Sequence, residues 1–295
     1  MVRMILGLLR HVIGYGVLLP LIVIGIVVQA LVASPVFGNR SLIPKLMYRA
    51  IGRLFGIRFV LDPASSAVAP GGPTLFVLNH LARIDFTCLY LLPDAALVMN
   101  ALFFHMPVFG PVLKLFADSA GFIGTDQTLA GKAGDQAALA AQFQLGRNVV
   151  LFAEGMQTDG KRVLRYSAGA AEILYDPAMI AGFPALRGVR LQPVVLRVRR
   201  IEGQDLRGQP EKWDRYTLTQ RPAGIFVNMT RRAFVRSTEV GVLICPAIDP
   251  AGFTTAVEAM KAVHEAARAI IAPSQTHAMS RSQWKARIAA RNFSV

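Results

Sequence analysis

Cysteine, acidic residues and charge in general are scarce in this sequence. Its two cysteines, Cys88 and Cys245, lie far apart, so a small disulfide-stapled scaffold is excluded. Charged residues make up 17% of the 295 residues, against about 25% in typical soluble domains. Hydrophobic residues reach 53%, which excludes intrinsic disorder as the main state. No repeat period is present, which excludes collagen-like and coiled-coil architectures.

The shortage of acidic side chains leaves a strongly basic chain. It has 18 acidic and 32 basic residues, giving a formal net charge of +14. A positive, apolar protein suits either a nucleic acid or an anionic membrane. Residues 1–61 hold seven basic side chains and no acidic one, around the longest apolar run of the chain. The interleaved aromatic and basic stripe of nucleic-acid-binding modules is missing. We therefore expect membrane lipids, and no nucleic acid, as partners.

The apolar run covers residues 12–34 and carries no charge. As a helix it would be roughly 35 Å long, which is enough to cross a bilayer core. A cleaved signal peptide with Ala33 near the cleavage site, or a buried helix of a soluble domain, is the alternative. We expect a membrane anchor.

Residues 41–57 have the pattern of a basic amphipathic helix. Ser41 is a suitable N-cap, and Lys45, Arg49 and Arg53 recur every four residues on one face. Such a helix next to an anchor is typical of one lying in the lipid headgroup layer. The alternative is a helix packed on the domain with a solvated basic face.

From residue 58 onward, short apolar runs alternate with helical stretches. This alternation predicts an α/β fold with a mostly parallel sheet flanked by helices, preceded by an N-terminal membrane-embedded helical pair. The predicted units are an anchor and amphipathic helix at 1–57, a main domain at 58–275 and a basic tail, solvated or surface-bound, at 276–295. The predicted strands are 58–61, 74–78, 148–153, 191–198 and 241–248, and the predicted helices are 86–92, 129–145, 168–175 and 256–271.

Several motifs that bind cofactors or supply nucleophiles are absent. The chain has no glycine fingerprint for dinucleotides, and Ala133 stands where a phosphate loop needs Ser or Thr. Arg165 replaces the first glycine of a nucleophile elbow. No Cys/His cluster has the spacing of a zinc site. We therefore expect no metal and no cofactor.

A histidine and a carboxylate follow the predicted strand 74–78. His80 and Asp85 would lie at its carboxyl end, where open α/β sheets place ligands. The imidazole could take a proton from a hydroxyl while the carboxylate fixes its tautomer. The spacing alone is weak, since such pairs are more often structural. A second predicted strand ends in Glu154 and Gly155, and the glycine permits a tight turn beside the pair.

Four ordered blocks carry a resemblance to a known family. The first is Asn79-His80-x4-Asp85, the second joins residues 106–110 to 121–126, the third spans 152–158 and the fourth spans 191–195. Together they resemble the glycerolipid (1-acylglycerol-3-phosphate) acyltransferase family. The resemblance implies transfer of a fatty acyl group from a thioester, on acyl carrier protein or coenzyme A, to the hydroxyl of a lyso-lipid acceptor.

The resemblance also implies roles for single residues. His80 would be the general base and Asp85 its orienting partner, while Glu154 and Gly155 would shape the acceptor site. The residues assigned to substrate binding are Asn79, Asp126, Glu154, Gly155, Gln157 and Thr158. Both substrates carry acyl chains, so we expect the catalytic domain on the cytoplasmic side of the cell inner membrane.

The sequence departs from the family pattern where a phosphate would be bound. Asp126 and Gln157 occupy positions usually held by arginine, and Asn100 replaces a usual lysine. Because arginine is the side chain that best binds phosphate through two hydrogen bonds, these replacements weaken the case for lysophosphatidate as the acceptor. The side chains that could compensate are Lys114, Lys132, Lys161, Arg162 and Arg165.

The third block instead continues in a way that resembles acyltransferases of lyso-ornithine lipid. Asp159-Gly160 is followed by Arg162-Val-Leu164. A zwitterionic headgroup suits a site that mixes Asp126 with arginines better than a purely basic fork does. The further alternative is a non-catalytic membrane-binding protein that keeps the fold.

Overall fold

The computed structural model places most of the chain after residue 41. It describes residues 42–82, 84–105, 109–125, 133–207, 237–272 and 279–292, with single positions at 9, 12, 16, 20, 21, 23–25, 27–29, 209, 212 and 216. In this part of the chain, helices and strands alternate as the sequence predicts.

The described residues form a mixed series of strands, α-helices and 3-10 helices. The strands are β1 Ile57–Leu61, β2 Thr74–Leu78, β3 Ala95–Asn100, β4 Ile123–Thr125, β5 Asn148–Phe152, β6 Arg190–Ile201, β7 Gln204–Asp205 and β8 Thr238–Ile244. The α-helices are α1 Leu42–Leu54, α2 Phe109–Ala120, α3 Ala133–Gln144, α4 Pro177–Gly182, α5 Ala256–Ile271 and α6 Arg281–Asn292. The 3-10 helices are Asp85–Leu91, Ala101–His105, Glu172–Leu174, Pro184–Gly188 and Pro250–Gly252.

The strands form one sheet in the order β1-β8-β6-β2-β5-β3-β4, with β7 paired to β6. β1 is parallel to β8, β2 is parallel to β5 and β6, and β3 is parallel to β4 and β5. The pairs of β6 with β7 and with β8 are antiparallel. The prediction of a mostly parallel sheet flanked by helices is therefore confirmed.

The register between β2 and β5 sets the position of the candidate site. Leu78, the last residue of β2, is aligned with Phe152, the last residue of β5. His80 and Glu154 each follow two residues later, so neighbouring parallel strands bring them to the same edge of the sheet. This is the edge at which open α/β sheets place ligands.

Hydrophobic residues fill both faces of the sheet. Leu75 and Val77 of β2 pack with Leu139 of α3 and Val263 of α5 in one cluster. Phe76 and Leu78 of the same strand belong to a second cluster on the opposite face, together with Tyr48 of α1. All five residues of β2 are buried. Because parallel strands are covered on both sides, they read as continuous apolar runs, and this explains why β2 was recognisable from its sequence.

Other elements differ from the predictions in kind or extent. The predicted helix 86–92 is the 3-10 helix Asp85–Leu91, and only Glu172–Leu174 of the predicted helix 168–175 is a regular 3-10 turn. β3, α2 and β4 were not predicted. Gly110 and Pro111 interrupt the pattern of α2, and β4 is only three residues long, so these two segments carry little pattern of their own.

The predicted membrane anchor lies largely outside the described residues. Among the positions that the structure does describe, no helix is both long and apolar enough to cross a membrane. The membrane-embedded helical pair is thus without structural support. The amphipathic helix that follows is present as α1, with Arg49 and Arg53 exposed and Tyr48 buried. Its Tyr48 ring packs edge-on against Phe86 at 5.8 Å between centroids.

Candidate active site

The structure brings His80 and Asp85 together at the end of β2. Nδ1 of His80 lies 3.0 Å from Oδ2 of Asp85. The histidine side chain is 17% exposed and the aspartate side chain is fully buried. Because the carboxylate occupies Nδ1, the other ring nitrogen, Nε2, is the one available to a substrate hydroxyl. This is the geometry of a general base with an orienting carboxylate.

Asp85 is itself held by the backbone of its own loop. The N–H groups of Leu81 and Ala82 donate to Oδ2 at 2.6 and 2.7 Å. Asp85 also begins the 3-10 helix Asp85–Leu91, so its position is set by local chain geometry. The hydroxyl of Tyr216 donates to the other oxygen, Oδ1, at 2.6 Å. These donors stabilise the charged carboxylate that an imidazolium needs beside it.

Glu154 holds the backbone of the histidine rather than its ring. Its Oε2 accepts a hydrogen bond from the N–H of His80 at 2.6 Å, and its Oε1 accepts one from the N–H of Leu164 at 2.8 Å. The side chain is fully buried. Burial raises the pKa of Glu154 to about 8, although the two N–H donors act in the opposite direction.

The main chain around His80 has a further bond to the loop after β5. The N–H of Thr158 donates to the carbonyl of His80 at 2.7 Å. The ring of Phe152 lies 4.6 Å from the imidazole between centroids, tilted by 36°. The histidine is therefore fixed on three sides: at its N–H, at its carbonyl and at one face of its ring.

Asn79 is turned toward the sheet instead of the open edge. Its side-chain oxygen accepts from the N–H of Leu196 at 2.7 Å, and its side-chain nitrogen donates to the carbonyl of Leu196 at 3.2 Å. Only 1% of the residue is exposed. Both polar atoms are used in joining β2 to β6, so the predicted contact of Asn79 with substrate has no support in this geometry.

The remaining predicted substrate-binding residues lie on the loop after β5, with one exception. Gly155 adopts a φ of +65°, a left-handed conformation that favours glycine. Gln157 is half-buried and Thr158 is buried. Asp126 lies outside the described residues. Their contacts with substrate stay predictions.

Two side chains that could replace the missing phosphate arginines are paired with acids. Arg162 lies 3.0 Å from the buried Asp159, and Lys114 lies 2.9 Å from Asp118 on the surface of α2. Asp159 also accepts from the N–H of Lys161. Neighbouring carboxylates offset these positive charges, which weakens them as phosphate ligands. Within the described ranges, no group of three or more His, Cys, Asp or Glu side chains could hold a metal ion.

Sequence reasoning missed three residues of this site. Tyr216 reaches Asp85 from a distant part of the chain, and no local pattern marks it. Arg281 and Trp284 belong to the tail that was predicted to be solvated or surface-bound. Nε of Arg281 donates to the carbonyl of Glu154 at 2.7 Å, and Nε1 of Trp284 donates to the carbonyl of Gln157 at 2.9 Å. The available signal was a tryptophan, a large aromatic side chain, in an otherwise polar and basic segment.

A basic groove lies between α1, β1 and the 3-10 helix Asp85–Leu91. Its volume is about 460 Å³. Three arginines line it, Arg49, Arg53 and Arg58, together with Tyr90 and Leu91. Asp85 begins the 3-10 helix that Leu91 ends, which separates the groove from the acid–base pair by roughly 12 Å along that helix.

Comparisons with known proteins agree with this arrangement. Residues 63–197 match the Acyltransferase family. The lyso-ornithine lipid O-acyltransferase of Brucella abortus (strain 2308) is 29% identical over 170 residues. The aligned stretch is 56% of this chain and 59% of that relative, so less than two thirds of the relative is covered. The solved structure of the 1-acyl-sn-glycerophosphate acyltransferase of Thermotoga maritima covers 93% of this chain and 98% of its own, with a TM-score of 0.53. Its identity of 14% makes this a likeness of fold alone.

The fold and the site together define an α/β protein with a histidine–aspartate pair at the carboxyl end of a mostly parallel sheet. The family match spans both members of that pair and the loop that holds Glu154. Over residues 63–197, which contain this site, the chain is therefore similar to the Acyltransferase family.

Proposed function

We propose that this protein is a membrane-associated lysolipid O-acyltransferase of lipid biosynthesis. The observation that carries the proposal is the 3.0 Å contact between Nδ1 of His80 and the buried carboxylate of Asp85, in a histidine whose ring is still 17% exposed. A structural ion pair would have no need of an exposed ring at the ligand-binding edge of a sheet.

The proposed reaction needs no nucleophile from the protein. Nε2 of His80 removes the proton from the lysolipid hydroxyl as its oxygen attacks the carbonyl carbon of an acyl thioester. The C–S bond then breaks, and the imidazolium returns the proton to the leaving thiolate, while an ester forms on the lipid. Asp85 stabilises the imidazolium between the two steps. The donor is acyl carrier protein or coenzyme A carrying the fatty acyl group.

For the acceptor we propose lyso-ornithine lipid, which carries no phosphate. The supporting observations are Gln157 at a position usually held by arginine, the pairing of Arg162 with Asp159, and the named activity of the Brucella relative. A lysophosphatidate acceptor would need a free arginine fork to bind its dianionic phosphate. Lysophosphatidate is therefore the alternative acceptor in the assays described below.

We further propose that the protein acts at the cytoplasmic face of the cell inner membrane. α1 exposes Leu42 and Leu46 at its start and Arg49 and Arg53 further along. Apolar side chains beside arginines suit a helix lying among anionic lipid headgroups. The arginine-lined groove extends this positive surface to β1.

His80→Ala tests the proposal directly. We expect acyl transfer from a labelled acyl thioester to fall by a factor on the order of 10³, since general-base catalysis contributes about 10²–10⁴-fold. Flotation with vesicles containing anionic lipid should be unchanged. His105→Ala is the matched control, because His105 is an exposed histidine outside the acid–base pair.

Purified wild-type protein should be offered lyso-ornithine lipid and lysophosphatidate in parallel assays. Product from the first alone supports the proposed acceptor, and product from the second alone contradicts it. Full activity of His80→Ala would overturn the proposed chemistry. Vesicle binding without turnover on either lipid would favour the non-catalytic membrane-binding alternative.

A further inference from the structure

The start of α6 is bonded to the loop that follows β5. Nε of Arg281 donates to the carbonyl of Glu154 at 2.7 Å, and its Nη2 lies 3.5 Å from the carbonyl of Ala153. One turn later, Nε1 of Trp284 donates to the carbonyl of Gln157 at 2.9 Å. Two side chains of one helix therefore contact three carbonyls, those of Ala153, Glu154 and Gln157, in the segment that carries Glu154.

Of the two side chains, Trp284 is buried and Arg281 is half-buried. Only 1% of Trp284 is exposed, and it is among the largest fully buried side chains of the described residues. Burial lowers the pKa of Arg281, as expected for a guanidinium removed from water. A charged group is placed in such surroundings at a cost unless it is hydrogen-bonded, and here backbone carbonyls satisfy it.

Gly155 leaves the space that Arg281 occupies. A Cβ on Gly155 would lie within 2.5 Å of the Arg281 guanidinium carbon. The φ of +65° at Gly155 turns the loop so that the preceding carbonyl faces the guanidinium. Glycine is thus needed here for both its backbone conformation and its lack of a side chain.

The approach to α6 is fixed as well. Met279 forms a parallel bridge with Leu164, and the N–H of Arg165 donates to the carbonyl of Met279 at 3.0 Å. Ser280 and Gln283 then form a capping box: the N–H of Gln283 donates to the Ser280 hydroxyl at 3.2 Å, and the N–H of Ser280 donates to the Gln283 side chain at 2.8 Å. The cap sets where the helix begins and hence where Arg281 points.

These bonds continue to the histidine. Arg281 holds the main chain of Glu154, whose side chain accepts the N–H of His80 at 2.6 Å. Trp284 holds the carbonyl of Gln157, and the next residue, Thr158, donates to the carbonyl of His80 at 2.7 Å. The first tail bond and a bond to the His80 backbone thus share the residue Glu154, and the second tail bond and the other bond to His80 share the peptide group between Gln157 and Thr158.

We propose that Arg281 and Trp284 are positioning residues for the active site, through which the C-terminal helix α6 fixes the loop after β5 and, through that loop, the backbone of His80. The inference rests on the proposed acyltransferase function for its kinetic consequence, but its structural content does not depend on that function. Neither side chain contacts the reacting atoms in this arrangement.

Single substitutions that remove a donor while keeping the bulk of the side chain test the proposal. Arg281→Gln removes the guanidinium, and Trp284→Phe removes the indole N–H but keeps an aromatic ring. Lys285→Gln is the matched control on the same helix, because Lys285 is exposed. Arg281→Lys should rescue in part, since an ammonium can still bind one carbonyl but lacks the fork.

Two readouts separate this proposal from the proposed function. The first is hydrogen–deuterium exchange of peptides covering residues 153–158, read by mass spectrometry. Exchange there should rise in Arg281→Gln and Trp284→Phe and stay at the wild-type level in Lys285→Gln. This readout needs no substrate, so it stands even if wild-type protein transfers no acyl group.

The second readout is steady-state kinetics of acyl transfer. We expect kcat to fall by about 10- to 100-fold in Arg281→Gln, because small displacements of a catalytic group are costly, while KM for both substrates changes less than about twofold. Wild-type exchange and wild-type kcat in both variants would overturn the proposal. Raised exchange with unchanged kcat would also overturn it, since the helix would then support the loop without positioning the histidine.

Discussion

Two neighbouring strands end in one buried carboxylate each, and the two carboxylates serve the same histidine in different ways. Asp85, beyond β2, binds the imidazole, while Glu154, beyond β5, binds the main-chain N–H. Each accepts two backbone hydrogen bonds. The donors to Asp85 lie three and four residues away, whereas those to Glu154 lie 10 and 74 residues away.

The difference shows which part of the site the chain can build locally. Asp85 closes a loop with its own neighbours, so the contact between His80 and Asp85 forms within one short segment, the end of β2 and the start of a 3-10 helix. Glu154 joins segments that only the sheet brings together. Substitutions at the two positions should therefore disturb different quantities: chemistry at the first, and backbone placement and pH-dependent stability at the second.

The largest effect is expected from Asp85→Asn. The amide keeps the size of the side chain but cannot stabilise an imidazolium and favours the wrong tautomer, so kcat should fall by about 10³- to 10⁴-fold. Labelled acyl transfer measures it, with Asp118→Asn, an exposed acid of α2, as the control. A loss of tenfold or less would mean that the carboxylate is a structural partner of the ring.

A smaller effect is expected on the pH dependence of the free energy of unfolding, and its source is the buried side chain of Glu154. Burial raises its pKa to about 8 in the folded protein from 4.5, so between these values the folded state holds a proton that the unfolded chain has released. Raising the pH through this window should therefore lower the free energy of unfolding, by an amount on the order of 5 kcal/mol. The groups that face Glu154 are Asp85, Asp159, Tyr166 and Arg281.

Denaturant unfolding between pH 5 and pH 8 measures this dependence, in the wild type and in Glu154→Gln. The variant cannot titrate at this position, so its stability should change less over the same window. Its absolute stability should also be lower, since an amide presents a donor to one of the two backbone N–H groups. Equal pH slopes in the two proteins would show that Glu154 is already ionised throughout.

The smallest effect is expected from Tyr216→Phe. It removes the 2.6 Å hydrogen bond to Oδ1 of Asp85 but leaves the backbone donors and the histidine contact in place. We expect kcat to fall by roughly three- to tenfold, which corresponds to about 0.7–1.4 kcal/mol, the net contribution of one ordinary hydrogen bond. Tyr175→Phe, which removes a bond of similar length to the Pro250 carbonyl, is the control. Equal kinetics in the two variants would assign Tyr216 a packing role only.

Much of the fold could be predicted, because its central strands are continuous apolar segments of the sequence. β2, β5 and α5 have long apolar or periodic patterns, and the sequence bounds of β2 and α5 coincide with those observed. β4 has only three residues, and the pairing of β3 with β5 and with β4 depends on contacts far along the chain. Pattern reasoning has no access to such contacts.

The positions of the site residues along the chain could likewise be predicted from the sequence, but the directions in which their side chains point could not. Asn79 lies within the first block, yet both polar atoms of its amide are hydrogen-bonded to the backbone of Leu196 in β6. Arg281 and Lys285 look alike in a basic tail, yet one is bonded beneath the active-site loop and the other is exposed.

The sequence by itself determined the alternation of strands and helices that predicts a mostly parallel sheet, the two strand ends and the pairing of His80 with Asp85, because each of these is a pattern of residues close together in the chain. Only the tertiary structure decided that Glu154 accepts a hydrogen bond from the N–H of His80 and that Tyr216 donates one to Asp85. It also decided that Arg281 and Trp284 donate to carbonyls of the loop after β5. These bonds join residues up to about half the chain length apart, and a hydrogen bond forms only where packing has brought donor and acceptor within about 3 Å of each other.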